Sequence, residues 1–557
     1  MIYIEEIKSK KMPTDTSLIV SFNYNADIVA TLKQISPTFY DKKNKTWEVP
    51  NIYLSYLLDE LCIYDDIDLS LLKSKKPTSK PNENIKLSRY KVSLFPHQEE
   101  AIKFGLTHDK WLLLDQMGLG KTLDMICLAQ EIKKRDNIKH CLIICGVNAL
   151  KSNWKAEIQK YSDLSCTILG EKINSKGKVV FGGIPDRLKQ LQKGIKEFFI
   201  ITNIETLRDK NVLKELNKLH YDMVVLDEAH KIKDVSSQQG KALLKLKGAK
   251  YKIALTGTPI VNSPLDAYAP LKWIEQETAN ASTYKAFYCT FGGYGNHEIV
   301  GYRNLNVLKN KLECCSLRRT KDILNLPEKV IVNQIVDMND THRKFYDSIV
   351  DGVISEVDKV RMDYVTTLGL ITRLRQATAC PSILTTANIK SSKIERALDI
   401  IDEVVSGGNK VVVFSTYKQT LKEIERLCSH KALVCTGDCS DVEIRHNIEL
   451  FQNESEPKVL LATWQKCGTG LTMTAANYEI FIDTPYTAAE YEQAQDRCHR
   501  IGQKETLTVY NLICRDTIDE RVREIVEDKS AIGDYIVDNK ITESGAKSLA
   551  KWITELG

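Results

Sequence analysis

No apolar run in this chain approaches the ~18 residues that a membrane-spanning helix requires. The start, Met1-Ile-Tyr-Ile-Glu-Glu6, lacks the basic segment and apolar core of a signal peptide. The 15 cysteines contain no Cys-x-x-Cys, and the four-apart pairs Cys141/Cys145 and Cys435/Cys439 have no partnering histidine pairs, so no zinc site is expected. Cys141, Cys145 and Cys514 sit inside apolar runs, where a free thiol packs as a small hydrophobe. Charge of one sign is also scarce: the net value is +5, so any surface for an anionic polymer is a local stripe and not a global field. Together these absences predict reduced thiols and a protein that stays where it is made, in the cytoplasm if bacterial or phage-encoded, or in the nucleus if eukaryotic.

At 557 residues the chain exceeds one hydrophobic core and predicts about three to four domains. Residues 1–85 read as a small α+β domain and a basic linker. The apolar run Ser17–Phe22 precedes a strand, charged turn and strand over Tyr40–Pro50 that carries Trp47, and the linker is Lys73–Pro81. Over 90–270 short apolar runs alternate with amphipathic stretches such as Thr122–Lys133. The runs are Trp111–Leu114, Cys141–Cys145, Phe198–Ile201, Met223–Leu226 and Ile253–Leu255. That rhythm predicts a parallel sheet covered by helices on both faces. It restarts over 391–530 with Lys410–Phe414, Val459–Ala462, Ile480–Asp483 and Val509–Cys514. The stretch 271–390 lacks it and is expected to be a mainly helical insertion, and 531–557 a helical tail. The fold class is therefore α/β, with two parallel-sheet lobes in tandem.

Four segments carry chemistry. Asp115-Gln-Met-Gly-Leu-Gly-Lys-Thr122 follows a strand and opens a helix. Its glycines, Gly118 and Gly120, let backbone N–H groups approach phosphate, Lys121 would meet the outer phosphates, and the Thr122 hydroxyl would face Mg²⁺. Val224-Val-Leu-Asp-Glu-Ala-His230 ends a strand with acids: Asp227 would hold the Mg²⁺ shell through water, and Glu228 would orient and deprotonate the attacking water. Arg497 and Arg500, in Gln493-Ala-Gln-Asp-Arg-Cys-His-Arg-Ile-Gly-Gln503, are one helical turn apart, so both guanidiniums are expected on one helix face. Thr256-Gly-Thr-Pro259, with Thr256 and Thr258, could link the acids to the neighbouring lobe. Weaker candidates are Gln98 for adenine and Thr202, Asn203, Thr463 and Lys466 for nucleic-acid phosphates. Trp154 reads as packing. The whole set predicts an ATP-driven motor.

Taken in order, these segments resemble the Swi/Snf family of DNA-dependent ATPases within helicase superfamily two, over residues 92 to about 530. The further matching blocks are Leu255–Asn262, Leu317-Arg-Arg-Thr-Lys321 with Leu326-Pro327, Leu374-Arg-Gln376 and Gly470–Ala476. The resemblance implies two RecA-like lobes that close over ATP and translocation on double-stranded DNA. It also implies that Arg497 and Arg500 are arginine fingers, that Gln98 reads adenine, and that Met117, Gly118, Leu119, Gly120, Lys121 and Thr122 surround the phosphates. Thr256, Thr258 and Gln493 become coupling residues. Three positions depart from the family pattern: Gln116 replaces a glutamate, Gly146 a proline and Thr472 an asparagine. The last is similar to the annealing-helicase branch, and residues 18–50 resemble the small HARP domain of that branch. The expected function is a DNA-stimulated ATPase acting on duplex or forked DNA. A strand-separating DNA or RNA helicase and a nucleotide-gated DNA-binding scaffold remain open.

Overall fold

The computed structural model describes residues 2–8, 16–35, 37–61, 67–68, 87–146, 150–173, 179–232, 235–246, 248–257, 264–292, 298–359, 364–464, 471–485, 488–527, 536–537 and 540–541. The chain folds into two compact units, one of residues 1–116 and 120–320, the other of residues 117–119 and 321–557.

The first unit begins with a five-stranded sheet of β1 (Ile2–Lys8), β2 (Thr16–Phe22), β3 (Phe39–Asp41), β4 (Thr46–Pro50) and β5 (Ile67–Asp68), in the order β3-β4-β2-β1-β5. Alternation explains β1: Ile2 and Ile4 are buried while Tyr3 is exposed. Register sets Ile4 opposite Val20 and Val20 opposite Trp47, so these residues share the face on which the sheet packs. Helices Ala26–Gln34 and Leu54–Leu61 cover that face with Ile28, Leu32, Leu57 and Leu61. The expected strand, charged turn and strand is β3–β4; Asp41 accepts the Lys43 N–H at 2.8 Å inside the turn, and the Tyr40 and Trp47 rings lie 4.9 Å apart. The domain is not a separate bead. Tyr53 and Tyr56 set their rings 5.9 and 5.0 Å from Phe287, and Lys311, buried and paired to Glu277 at 2.7 Å, faces the Tyr53 ring. Its core therefore continues into the rest of the first unit. The linker Lys73–Pro81 lies outside the described residues.

The main sheet of this unit takes β6 (Lys110–Leu113), β7 (Cys141–Cys145), β8 (Cys166–Ile168), β11 (Phe199–Asn203), β12 (Met223–Asp227), β13 (Tyr251–Leu255) and β16 (Ser316–Leu317). Hairpins β9–β10 (Glu171–Ile173, Val179–Phe181) and β14–β15 (Cys289–Gly292, Glu298–Tyr302) lie between them in sequence. All seven strands run parallel in the order β16-β6-β13-β12-β7-β11-β8. The five inner strands are the five expected apolar runs. Strands β7, β11 and β12 are buried along their whole length, which is why they read as continuous apolar runs and not as alternation. The two edge strands were not expected from the sequence; at three and two residues they leave no pattern.

The second unit has a parallel sheet of β17 (Lys329–Val336), β18 (Val411–Phe414), β19 (Ala432–Cys435), β20 (Val459–Ala462), β21 (Tyr478–Phe481) and β22 (Leu507–Cys514), ordered β17-β22-β21-β18-β20-β19. Two parallel-sheet lobes thus follow one another in sequence, as expected. The stretch 271–390 does carry helices Ala281–Tyr288, Leu305–Cys315, Asp340–Lys359 and Tyr364–Ala379, but it also supplies edge strands to both sheets, β16 to the first and β17 to the second. Strand β17 was hidden because it is an edge: Val330, Ile331 and Ile335 stay exposed, and Asn333-Gln334 interrupts the apolar run. Of the expected helical tail 531–557 the structure describes four residues, and these pair as short antiparallel strands, β23 (Ile536–Val537) with β24 (Lys540–Ile541); the remainder lies outside the described residues. Among the described residues no helix is long and apolar enough to cross a membrane.

Candidate functional site

Parallel strands put all their C-terminal ends on one edge of a sheet, and in the first unit that edge gathers the expected residues. Strand β6 runs into the Asp115–Thr122 loop. Gly118 and Gly120 have φ of +86° and +90°, the left-handed region that only glycine enters freely, and Gly120 caps helix Lys121–Asp136. A Cβ on Gly120 would lie 2.6 Å from Gln98 Nε2, so a larger residue would have to displace the Gln98 amide as well as adopt a left-handed backbone. Gln98 is 2% exposed, and its Oε1 accepts the Phe95 N–H at 3.1 Å. It is therefore a buried residue beside the loop and not a surface glutamine. Lys121 Nζ donates to the carbonyls of Asp115 at 2.8 Å and Gln116 at 3.2 Å, folding over the loop that a phosphate would occupy. Thr122 follows in the first turn of the helix. Below the loop, burial and the neighbouring Asp115 push the Asp124 carboxyl well above the usual carboxylate range.

Strand β12 ends at Asp227 and Glu228. Glu228 holds φ +56°, an unfavourable conformation for a non-glycine residue, and its N–H bonds Asp227 Oδ1 at 2.9 Å. Gly146, where the family usually has proline, presses on both acids. Its N–H donates to the Asp227 carbonyl at 2.9 Å, and a Cβ there would meet the carbonyls of Asp227 and Glu228 at 3.0 Å. Proline has neither the N–H nor the room. Two residues outside the expected catalytic set complete the arrangement. Trp154, 1% exposed, donates its indole N–H to Asp227 Oδ2 at 2.8 Å. A buried tryptophan needs a partner for that N–H, and this was the one available signal. His230 Nδ1 lies 3.1 Å from Glu228 Oε2 and 3.2 Å from Thr256 Oγ1, bridging the acid to the Thr256 turn.

Burial and the adjacent Glu228 raise the Asp227 carboxyl to about 6, while Trp154 and Lys121 act to lower it. Removing the indole donor must raise it further. Trp154→Phe should therefore move the acid limb of kcat/KM for ATP, which reports the free enzyme, to higher pH. An unmoved limb means that Asp227 is not the group titrating.

Other expected contacts are placed differently. Thr202 and Asn203, at the end of β11, are 1% and 6% exposed. Asn203 Oδ1 accepts from Thr206 at 2.6 Å, and Asn203 Nδ2 donates to Glu205 at 2.5 Å. Both side chains are buried, and the Asn203 amide bonds within its own loop. Thr463, after β20, is 3% exposed, with its N–H on the Cys435 carbonyl at 3.1 Å. Thr258 and Lys466 lie outside the described residues.

In the second unit Gln493 sits on helix Ala488–Gln495, partly exposed. The helix stops there, and this corrects the expected single helix face for the arginines. Arg497 and Arg500 occupy the following turn, because the Met473 N–H takes the Arg497 carbonyl at 2.9 Å and Gly502 turns the chain with φ +107°. Arg497 is 5% exposed.

The SNF2-related domain family matches residues 97–383, and the helicase conserved C-terminal domain family matches residues 392–502. The chain belongs to the SNF2-related family. Among curated proteins it is 29% identical to an ATP-dependent helicase of Mycoplasma pneumoniae over 516 residues, covering 88% of this chain and 48% of that protein. The helicase/translocase YwqA of Bacillus subtilis is 26% identical, with 84% of this chain and 51% of that protein covered. The DNA annealing helicase and endonuclease ZRANB3 of Bos taurus is 28% identical, over 77% of this chain and 39% of that protein. The chain spans about half the length, or less, of these relatives.

Proposed function

We propose that this SNF2-related protein is a DNA-stimulated ATPase that translocates on duplex or forked DNA. The observation that carries the reading is the edge where Lys121, Asp227 and Glu228 meet, with Lys121 close enough to bias the Asp227 carboxyl. A phosphate-binding lysine beside a paired acid is the arrangement that hydrolysis of a phosphoanhydride needs. Glu228, held by its strained backbone and by His230, orients the attacking water and takes its proton. Lys121 leaves the loop carbonyls to meet the transferred phosphoryl group. Thr122 and Asp227 suit Mg²⁺, which is usually bound through one or two protein oxygens and keeps water and phosphate for the rest of its shell. Bound there, it would neutralise phosphate charge. The relatives' names support the direction: ATP-dependent helicase, helicase/translocase and DNA annealing helicase. ATP turnover measured with duplex, single-stranded and forked DNA and with RNA tests the reading, with strongest stimulation expected from double-stranded or forked DNA. Stimulation by RNA alone would refute it.

The N-terminal sheet is proposed to bias the motor towards forked DNA. The β3–β4 turn exposes Lys42, Lys43 and Lys45 beside the Tyr40–Trp47 ring pair, and Tyr40 is 47% exposed. Lysines suit a phosphate backbone, and a stacked ring is worth about 1–3 kcal/mol per unpaired base. Deleting the domain would uncover Phe287, so the clean test is charge reversal. Lys42→Glu/Lys43→Glu/Lys45→Glu combined with Tyr40→Ala, which also removes the exposed ring, should keep duplex-stimulated ATPase and lose about tenfold in preference for forked over linear DNA. Unchanged fork preference would make the domain purely structural.

A further inference from the structure

The block Leu317-Arg-Arg-Thr-Lys321 with Leu326-Pro327 has no part in the proposed chemistry, yet it is bonded to both arms of it. In the first unit, β16 pairs with β6 and the pairing carries on past the strands: the Leu114 N–H donates to the Leu317 carbonyl at 2.8 Å and the Gln116 N–H to the Arg319 carbonyl at 3.0 Å. Residues 317–319 thus run alongside the start of the phosphate loop. Arg319 then turns its guanidinium onto Asp115, which is fully buried. Nε donates to Oδ1 at 3.0 Å and Nη2 to Oδ2, while Nη1 donates to the His97 carbonyl and to Glu100 Oε2 at 3.2 Å. One side chain ties the first residue of the loop to the helix that carries Gln98. Asp115 stands where the fuller phosphate-loop pattern has glycine, and this fork is what lets a carboxylate sit there.

In the second unit, Lys321 Nζ donates to Asp496 Oδ1 and to the His499 carbonyl, the latter at 2.5 Å. His499 Nε2 lies 2.8 Å from the Pro327 carbonyl, and Lys329 Nζ donates to Gln495 Oε1 at 2.8 Å. Residues 495–499, which bracket Arg497 and lead directly into Arg500, are therefore held at three points by residues 321–329. That turn has no helix to hold it, since the helix ends at Gln495.

We propose that residues 317–329 are a positioning segment: Arg319 sets the phosphate loop through Asp115, and Lys321 sets the turn bearing Arg497 and Arg500. The boundary between the two units falls between Thr320 and Lys321, so one residue of chain separates the two anchors. The inference rests on the proposed ATPase function, and it assigns opposite kinetic consequences to two residues that are nearly adjacent.

Arg319→Lys keeps a cation beside Asp115 but cannot donate bidentately and reach the His97 carbonyl as well. It should weaken binding of a fluorescent ATP analogue by about tenfold or more and leave kcat within about threefold. Lys321→Ala should do the reverse, holding nucleotide affinity within about threefold and lowering kcat about tenfold or more; Lys321→Arg, which keeps a cation beside Asp496, should restore turnover at least in part. Equal changes in affinity and kcat for both residues, or no change in either, would overturn the inference while leaving the ATPase intact. A parent chain that neither binds nor hydrolyses ATP would overturn the proposed function, and this inference with it.

Discussion

Glu228→Gln should bind ATP as tightly as the parent chain and hydrolyse it ~10²–10⁴ more slowly, the range that a positioned general base contributes. The substitution is nearly isosteric, so the left-handed backbone at Glu228 and the neighbouring Gly146 contact remain. What is lost is the carboxylate that can take a proton from water; an amide can orient a water but cannot accept the proton. Affinity is expected to hold because the phosphate contacts belong to Lys121 and the loop. Single-turnover hydrolysis with bound nucleotide separates the two effects. Turnover within about threefold of the parent would remove Glu228 from the base role.

Arg497→Ala and Arg500→Ala should each cut DNA-stimulated turnover by on the order of 10³, the lower end of what an arginine finger contributes. Nucleotide binding should change little. The two arginines and Glu228 belong to different units, so the proposal requires the units to close on ATP during each cycle. The effect should therefore be larger on the DNA-stimulated rate than on the basal rate. Lysine at either position should rescue poorly, since an ammonium cannot present the planar fork that a developing phosphoryl charge calls for. Survival of both rates would mean that the turn does something else.

The inner strands of both sheets and the phosphate and acid motifs were legible in the sequence because each is a local pattern: an apolar run buried on both faces, or glycines and acids placed at a strand end. What was hidden depends on contacts distant in sequence. Strand β17 reads as half polar because it lies at an edge, and β16 is recognisable only by its pairing with β6. Trp154 looked like packing until its indole N–H met Asp227, 73 residues away. The expected shared helix face for Arg497 and Arg500 failed because Met473 draws the Arg497 carbonyl out of the helical pattern. Thr202 and Asn203 were placed correctly at a strand end, but a hydroxyl and an amide give no sign in sequence of whether they face solvent or their own loop. Arg319 and Lys321 could be seen as a motif and could not be given a task, since their partners, Asp115 and Asp496, are each far along the chain.

The central claim, that ATP turnover drives movement along duplex DNA, is tested most directly by displacement of a short third strand from a triplex placed on a duplex track. The account predicts release of that strand with ATP, and none with a non-hydrolysable analogue or with Lys121→Ala. A third strand that stays in place while ATP is turned over at the DNA-stimulated rate would contradict it.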